Sequence, residues 1–129
     1  MANALAIVGE RWSLLAVREV FLGTHRFDQI AENTGASRDI LSTRLRSLVE
    51  AGVLEKRQYE QRPPRYEYVL TDAGKALHPV LLALRHWGDE YAPSETAAGR
   101  WRHVCGAVLT PTMICAGCGQ PTRSEDIAL

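Results

Sequence analysis

Apolar residues recur at helical spacing through the first fifty positions, then switch to alternation. Residues 2–8, ANALAIV, predict a short helix ending at Gly9. Residues 10–22 predict a second, with Trp12, Leu15, Val17, Val20 and Phe21 on a broad apolar face and Gly23 as its stop. Residues 26–33, RFDQIAEN, predict a third helix, and Asn33-Thr34-Gly35 is turn chemistry with Gly35 able to take positive φ. A fourth helix begins after the capping residue Ser37 and runs to about Ala51, where Gly52 ends it.

Beyond Gly52, VLEKRQYE and RYEYVLT flank QRPP. Val53, Tyr59, Tyr66, Tyr68 and Leu70 suit strands, and Pro63-Pro64 cannot continue a ladder, so a hairpin with a stiff basic tip is predicted. Thr71 caps a predicted long helix through about Tyr91, bent at Pro79, and Pro93-Ser94 opens a linker. Short helices joined by a glycine turn and followed by a hairpin describe a winged helix-turn-helix. The fold class expected is mainly α with a small β-hairpin (α+β), plus a short cysteine-bearing C-terminal extension. Residues 1–92 are expected to form the winged helix-turn-helix domain, and residues 93–129 a linker and small tail.

Composition changes this picture little: 46% hydrophobic and 23% charged residues over 129 positions suit one globular domain with a small appendage. No apolar run is long enough for a membrane helix, and the N-terminus lacks the pattern of a signal peptide, so a cytoplasmic location is expected. Charge distribution is more telling than the net charge of zero. Residues 36–65 carry 7 basic and 4 acidic side chains, a local excess of +3, whereas residues 66–92 carry 2 and 4. A basic face on a neutral chain can bind phosphate with an affinity that falls as salt rises.

That excess lies on the fourth helix and the hairpin. Leu41, Leu45 and Leu48 share one narrow helical face, while Asp39, Ser42, Thr43 and Arg46 fall opposite. In a helix-turn-helix the second helix enters the major groove with its N-terminal half at the base edges. Arg38, Ser42, Thr43 and Arg46 are therefore the candidates for base contacts. Arginine pairs bidentately with guanine, and hydroxyls both donate and accept. Ser37, Arg44, Arg62 and Arg65 are the candidates for phosphate. A polar stripe opposite leucines is usually just a solvated face; the preceding glycine turn and the basic hairpin favour the DNA-reading interpretation.

These segments together resemble an HxlR-type transcriptional regulator, a relative of the MarR winged-helix proteins. GERWSLLAVREVFLGTHRFDQI is similar to the family's first segment and SRDILSTRLRSLVEAGVLEKR to its recognition helix. QRPPRYEYVLTDAGKAL is similar to its wing and LRHWGDEY to the end of its last helix, so the resemblance covers about residues 3–91. It implies a sequence-specific DNA-binding transcriptional regulator acting as a homodimer on an inverted-repeat operator. The first and last helices would then supply the dimer contacts, here Leu5, Val8, Leu77, Val80, Leu81, Leu84 and Trp87, some of them shared with the chain's own core. One departure stands out. Family members typically carry a cysteine shortly before the first helix, a redox-sensing thiol in some, whereas this chain has no cysteine before Cys105. Thiol sensing of that type is not carried over.

The tail, WRHVCGAVLTPTMICAGCG, offers His103, Cys105, Cys115 and Cys118 as metal ligands. Cys-x-x-Cys-Gly is the shape of a zinc knuckle, and His103 with Cys105 is a candidate second pair, though its gap is one residue short of the usual. One structural zinc per chain in a zinc-ribbon-like tail is the expectation. Plain reduced thiols and a redox pair remain the alternatives, the latter without the surrounding pattern of a thioredoxin. No organic cofactor is expected. A small-molecule effector, unidentified, could lie against Trp12, Phe21 and Trp87, although aromatic residues at such spacing are more often core. His25, His78 and His86 lie outside ligand spacing, carboxylates are spread as solvated charges, and no nucleophile grouping or phosphate loop is present. Catalysis is therefore not expected. The competing function is a protein-interaction adaptor using the winged helix and zinc ribbon without DNA.

Overall fold

The computed structural model describes residues 1–92 and 101–127. Four helices come first: α1 Ala2–Val8, α2 Arg11–Phe21, α3 Phe27–Thr34 and α4 Arg38–Glu50. An antiparallel hairpin follows, β1 Leu54–Gln61 and β2 Pro64–Leu70, then α5 Asp72–Lys75 and α6 His78–Tyr91. A 3-10 turn, Ser124–Asp126, follows in the C-terminal segment. The chain divides into two compact units, Met1–Leu81 and Leu82–Leu129, with the division inside α6.

The core of the first unit is where periodicity placed it. Val17 and Val20 of α2, Ile30 of α3, Leu41, Leu45 and Leu48 of α4, and Leu54 and Tyr68 of the hairpin are all buried. Trp12 and Phe21 pack against this cluster as core aromatics. Local chemistry sets the boundaries. The Ser37 hydroxyl accepts the Ile40 N–H at 3.4 Å and starts α4. Gly35, at φ 74°, and Gly52, at φ 73°, take the left-handed turns that end α3 and follow α4.

The hairpin pairs Leu54 with Leu70 and Lys56 with Tyr68, with a register shift between Gln58 and Glu60. It is tied back to the helices through the α2–α3 loop. The Tyr68 N–H donates to the His25 carbonyl at 2.8 Å. His25 Nδ1 in turn donates to the Tyr68 carbonyl at 2.9 Å. Arg26 also stacks over the Tyr59 ring at 4.8 Å.

Two sequence expectations need correction. The long last helix is two helices. Thr71 does cap, accepting the Gly74 N–H at 3.1 Å, but α5 ends at Lys75 and α6 begins at His78. Proline at 79 has no N–H to give the Lys75 carbonyl, and its ring would collide with it. Restarting at His78 puts Pro79 in a first turn, where no N–H is needed. Carboxylates are also not all solvated. Glu19 is only 4% exposed. It accepts from Arg18 at 2.6 Å and from Asn33 at 2.7 Å, locking α2 to α3.

Candidate nucleic-acid interface

Helix α4 is inserted by its leucines. With Leu41, Leu45 and Leu48 fully buried, helical geometry leaves Ser42, Thr43, Arg46 and Ser47 exposed on the far side. The first turn of α4 is exposed as well, at Ser37, Arg38, Asp39 and Ile40. This half carries the free N–H groups and positive end of the helix.

Individual side chains differ in how they are held. Arg38 reaches across the turn to Asp28 at 2.7 Å and lies over the Phe27 ring at 4.8 Å. That contact is an exposed surface pair, of the kind that contributes little to stability. The Thr43 hydroxyl donates to the Asp39 carbonyl at 3.0 Å, which leaves its oxygen lone pairs outward. Arg44 behaves otherwise: it is half-buried, turned 3.6 Å from Glu10 at the α1–α2 junction, with Nε enclosed. Its position ties α4 to the start of α2.

The wing projects beyond the core. Arg62 and Arg65 at its tip are exposed, Arg65 pairing with Glu60 at 3.0 Å. The structure adds cations that sequence reading passed over. Lys56 lies over the Tyr66 ring at 4.7 Å, and Arg57 stands 3.9 Å from Glu55, both exposed. Their strand alternation was legible, but which face looks outward depends on the register. Tyr68 links wing and helix electrostatically. Burial raises its phenol above the ordinary value, and the nearby positive charge of Arg46 partly opposes this. A reading helix, a glycine turn before it and a cationic wing beside it are the parts of a winged helix-turn-helix that engages duplex DNA.

Residues 7–96 match the model of the HxlR-like helix-turn-helix family. The chain belongs to that family. A relative in Mycobacterium tuberculosis strain H37Rv, an uncharacterised HTH-type transcriptional regulator, is 43% identical over 129 residues, spanning 98% of this chain and 82% of the relative. The crystal structure of PA1607, a proposed transcription factor, superposes with TM-score 0.86 at 36% identity, covering 99% of this chain and 91% of that one. The reduced form of the Bacillus subtilis regulator YodB superposes with TM-score 0.60 at 27% identity, over 76% and 95% of the two chains. This HxlR-like protein is a DNA-binding transcriptional regulator and not an enzyme.

The apolar residues assigned to an HxlR dimer contact fall into two groups. Val8 is buried in its own chain at 8% exposure, and Leu77 and Leu81 pack against the core, so these have little surface to offer a second copy. Leu5, Val80, Leu84 and Trp87 are exposed, the last at 59%. Trp87 and Tyr91 stack with ring centroids 5.8 Å apart. His86 lies 3.7 Å from Glu90 on the same helix.

In the tail, all three cysteines are free. Among the described residues, no three of His, Cys, Asp or Glu stand close enough together to hold a metal ion, so His103, Cys105, Cys115 and Cys118 are not drawn into one cluster. Cys115 and Cys118 are neighbours. The Cys118 amide, then the Gly117 amide and the Cys118 thiol, hold the Cys115 thiol below its ordinary range. A cleft of about 340 Å³ lies within the C-terminal unit, lined by Leu82, Arg85, Asp89, Trp101 and Leu109 among others. It does not include Trp87. No described helix is long and apolar enough to cross a membrane.

Proposed function

We propose that two copies of this chain form a homodimer that occupies an inverted-repeat operator in the cytoplasm. Each copy places the N-terminal half of α4 in a major groove. Arg38, Ser42, Thr43 and Arg46 meet base edges there, while Ser37, Arg62 and Arg65 hold phosphates. Lys56 and Arg57 add to the wing's attraction for the backbone. The observation carrying this reading is the opposition on α4 itself: three leucines fully buried on one side, Ser42, Thr43 and Arg46 open on the other.

Dimerisation is supported by large apolar side chains left open on α6, at Leu84, Trp87 and Tyr91, and, separately, on α1, at Leu5 and Ile7. Leu84, Trp87 and Tyr91 recur at helical spacing, so three large apolar groups face water along one side of α6, a mark of association. A two-fold pair would set the recognition helices about 34–36 Å apart, one turn of DNA. Arg44 is better suited to holding α4 in place than to gripping phosphate.

The test has two arms. Sedimentation should give a dimer that Leu84→Asp with Trp87→Ala dissociates. Genomic pull-down should recover palindromic sites that Arg46→Ala no longer enriches. A monomer that retards no recovered duplex at low salt would refute the proposal.

A further inference from the structure

Two turns of the C-terminal unit are built to one plan. Arg102 bridges to Val108, and the next residue, His103, donates its N–H to the Ala107 carbonyl at 3.0 Å. The His103 carbonyl accepts the Gly106 N–H at 2.8 Å, and Gly106 has φ 88°. Ile114 bridges to Pro121, and the next residue, Cys115, donates to the Gln120 carbonyl at 2.9 Å. The Cys115 carbonyl accepts the Gly119 N–H at 2.8 Å, and Gly119 has φ 73°. Each turn thus opens on a ligand-type residue and closes on Cys-Gly. The first is one residue shorter. Paired short turns with two ligand-type residues each are one form in which four-coordinate structural zinc is held.

The surroundings point the same way. No described residue from 101 to 127 is buried. Small segments with so little buried surface are commonly stapled by a disulfide or a metal. An odd number of free cysteines does not supply one as a disulfide framework. Cys115 is the least exposed of the three, and its sulfur lies over Gly117, where an added Cβ would be 3.7 Å from it. The His103 ring already accepts the Cys105 N–H through Nδ1 at 3.4 Å, which leaves Nε2 as the ligand atom.

We propose that these paired turns form a zinc site, with Cys115 and Cys118 as the primary ligands and Cys105 and His103 closing the tetrahedron. The two pairs do not stand together among the described residues, so binding requires the His103–Gly106 turn to close onto the Cys115–Gly119 turn. Both halves are preformed as turns, and the metal supplies the link between them. Cysteine thiols release their protons to solvent as they bind. The role is structural, since four protein ligands leave no open position for water.

The probe is cobalt(II), titrated into metal-free full-length protein under reducing conditions, with zinc as competitor. One equivalent should bind and give the intense visible bands of a tetrahedral ion together with thiolate charge-transfer absorption. Excess zinc should bleach both. Cys115→Ser with Cys118→Ser should abolish them. Cys105→Ser should lower the charge-transfer intensity by about a third, one of three thiolates being lost. His103→Ala should weaken binding without lowering that intensity. Far-UV circular dichroism and operator binding of the serine variants monitor the winged helix separately, so failure here and failure of the regulator reading are distinguishable. The proposal is overturned by an octahedral spectrum, by no binding at one equivalent, or by undiminished binding in the double serine variant.

Discussion

The Glu19 carboxylate of α2 accepts the side-chain amide of Asn33 on α3 at 2.7 Å, although Glu19 is almost wholly buried. Its other oxygen takes Arg18 at 2.6 Å. A carboxylate so deeply placed persists only because both oxygens are satisfied. The bond ties α3 to α2. Asn33→Ala should therefore destabilise the fold by about 1–3 kcal/mol, the usual cost of leaving a buried acceptor unpaired. Urea unfolding monitored by tryptophan fluorescence checks this: the midpoint should fall with no change in slope.

Base-reading and backbone-gripping arginines should separate in binding assays. Arg46→Ala should cost about 1–3 kcal/mol on the best operator and much less on mismatched duplexes, relaxing specificity at one position. Arg62→Ala should weaken all duplexes alike and reduce the salt slope by about one. Fluorescence anisotropy across a salt series, with matched and mismatched duplexes, would expose the reverse pattern if the roles were exchanged.

Gly74 should tolerate nothing larger. A Cβ there would collide with the Val53 carbonyl oxygen and lie 3.0 Å from Leu70 Cδ2. Gly74→Ala should cost about 1–3 kcal/mol as an overpacking change. Gly35→Ala should cost about 1 kcal/mol through its left-handed backbone alone, because nothing lies within 4 Å of the new methyl. Thermal melts that ranked the two in the opposite order would contradict this account.

Tyr68 should make the fold sensitive to alkali. Its phenol is held above the ordinary 10.0 by burial, so the native state keeps the proton longer than the unfolded chain. The stabilisation is complete below pH 10 and is lost as pH rises through the folded value. Tyr68→Phe should flatten the decline in stability above pH 10 relative to wild type. Unfolding measured either side of that pH gives the comparison.

Much of this architecture was legible in the residues. Leucines at 41, 45 and 48, a capping serine and glycines where positive φ is needed are local signals, and local geometry obeys them. So too the basic wing and the exposed Ser42, Thr43 and Arg46, since burying one face of a helix settles where the other points. The family resemblance spans these same segments.

What the residues alone left open depended on contacts between distant positions. Glu19 read as a solvated charge until Asn33, fourteen residues on, was placed beside it. That Arg44 lies 3.6 Å from Glu10, thirty-four positions earlier, could be seen only once the helices were packed. His25 had no assigned part until its ring met the Tyr68 carbonyl across the wing. Which of the apolar residues on the first and last helices belong to the chain's own core, as Val8 does, was likewise a matter of packing. Periodicity reports which face of an element is apolar. Only packing decides what that face, and each polar group beside it, will meet.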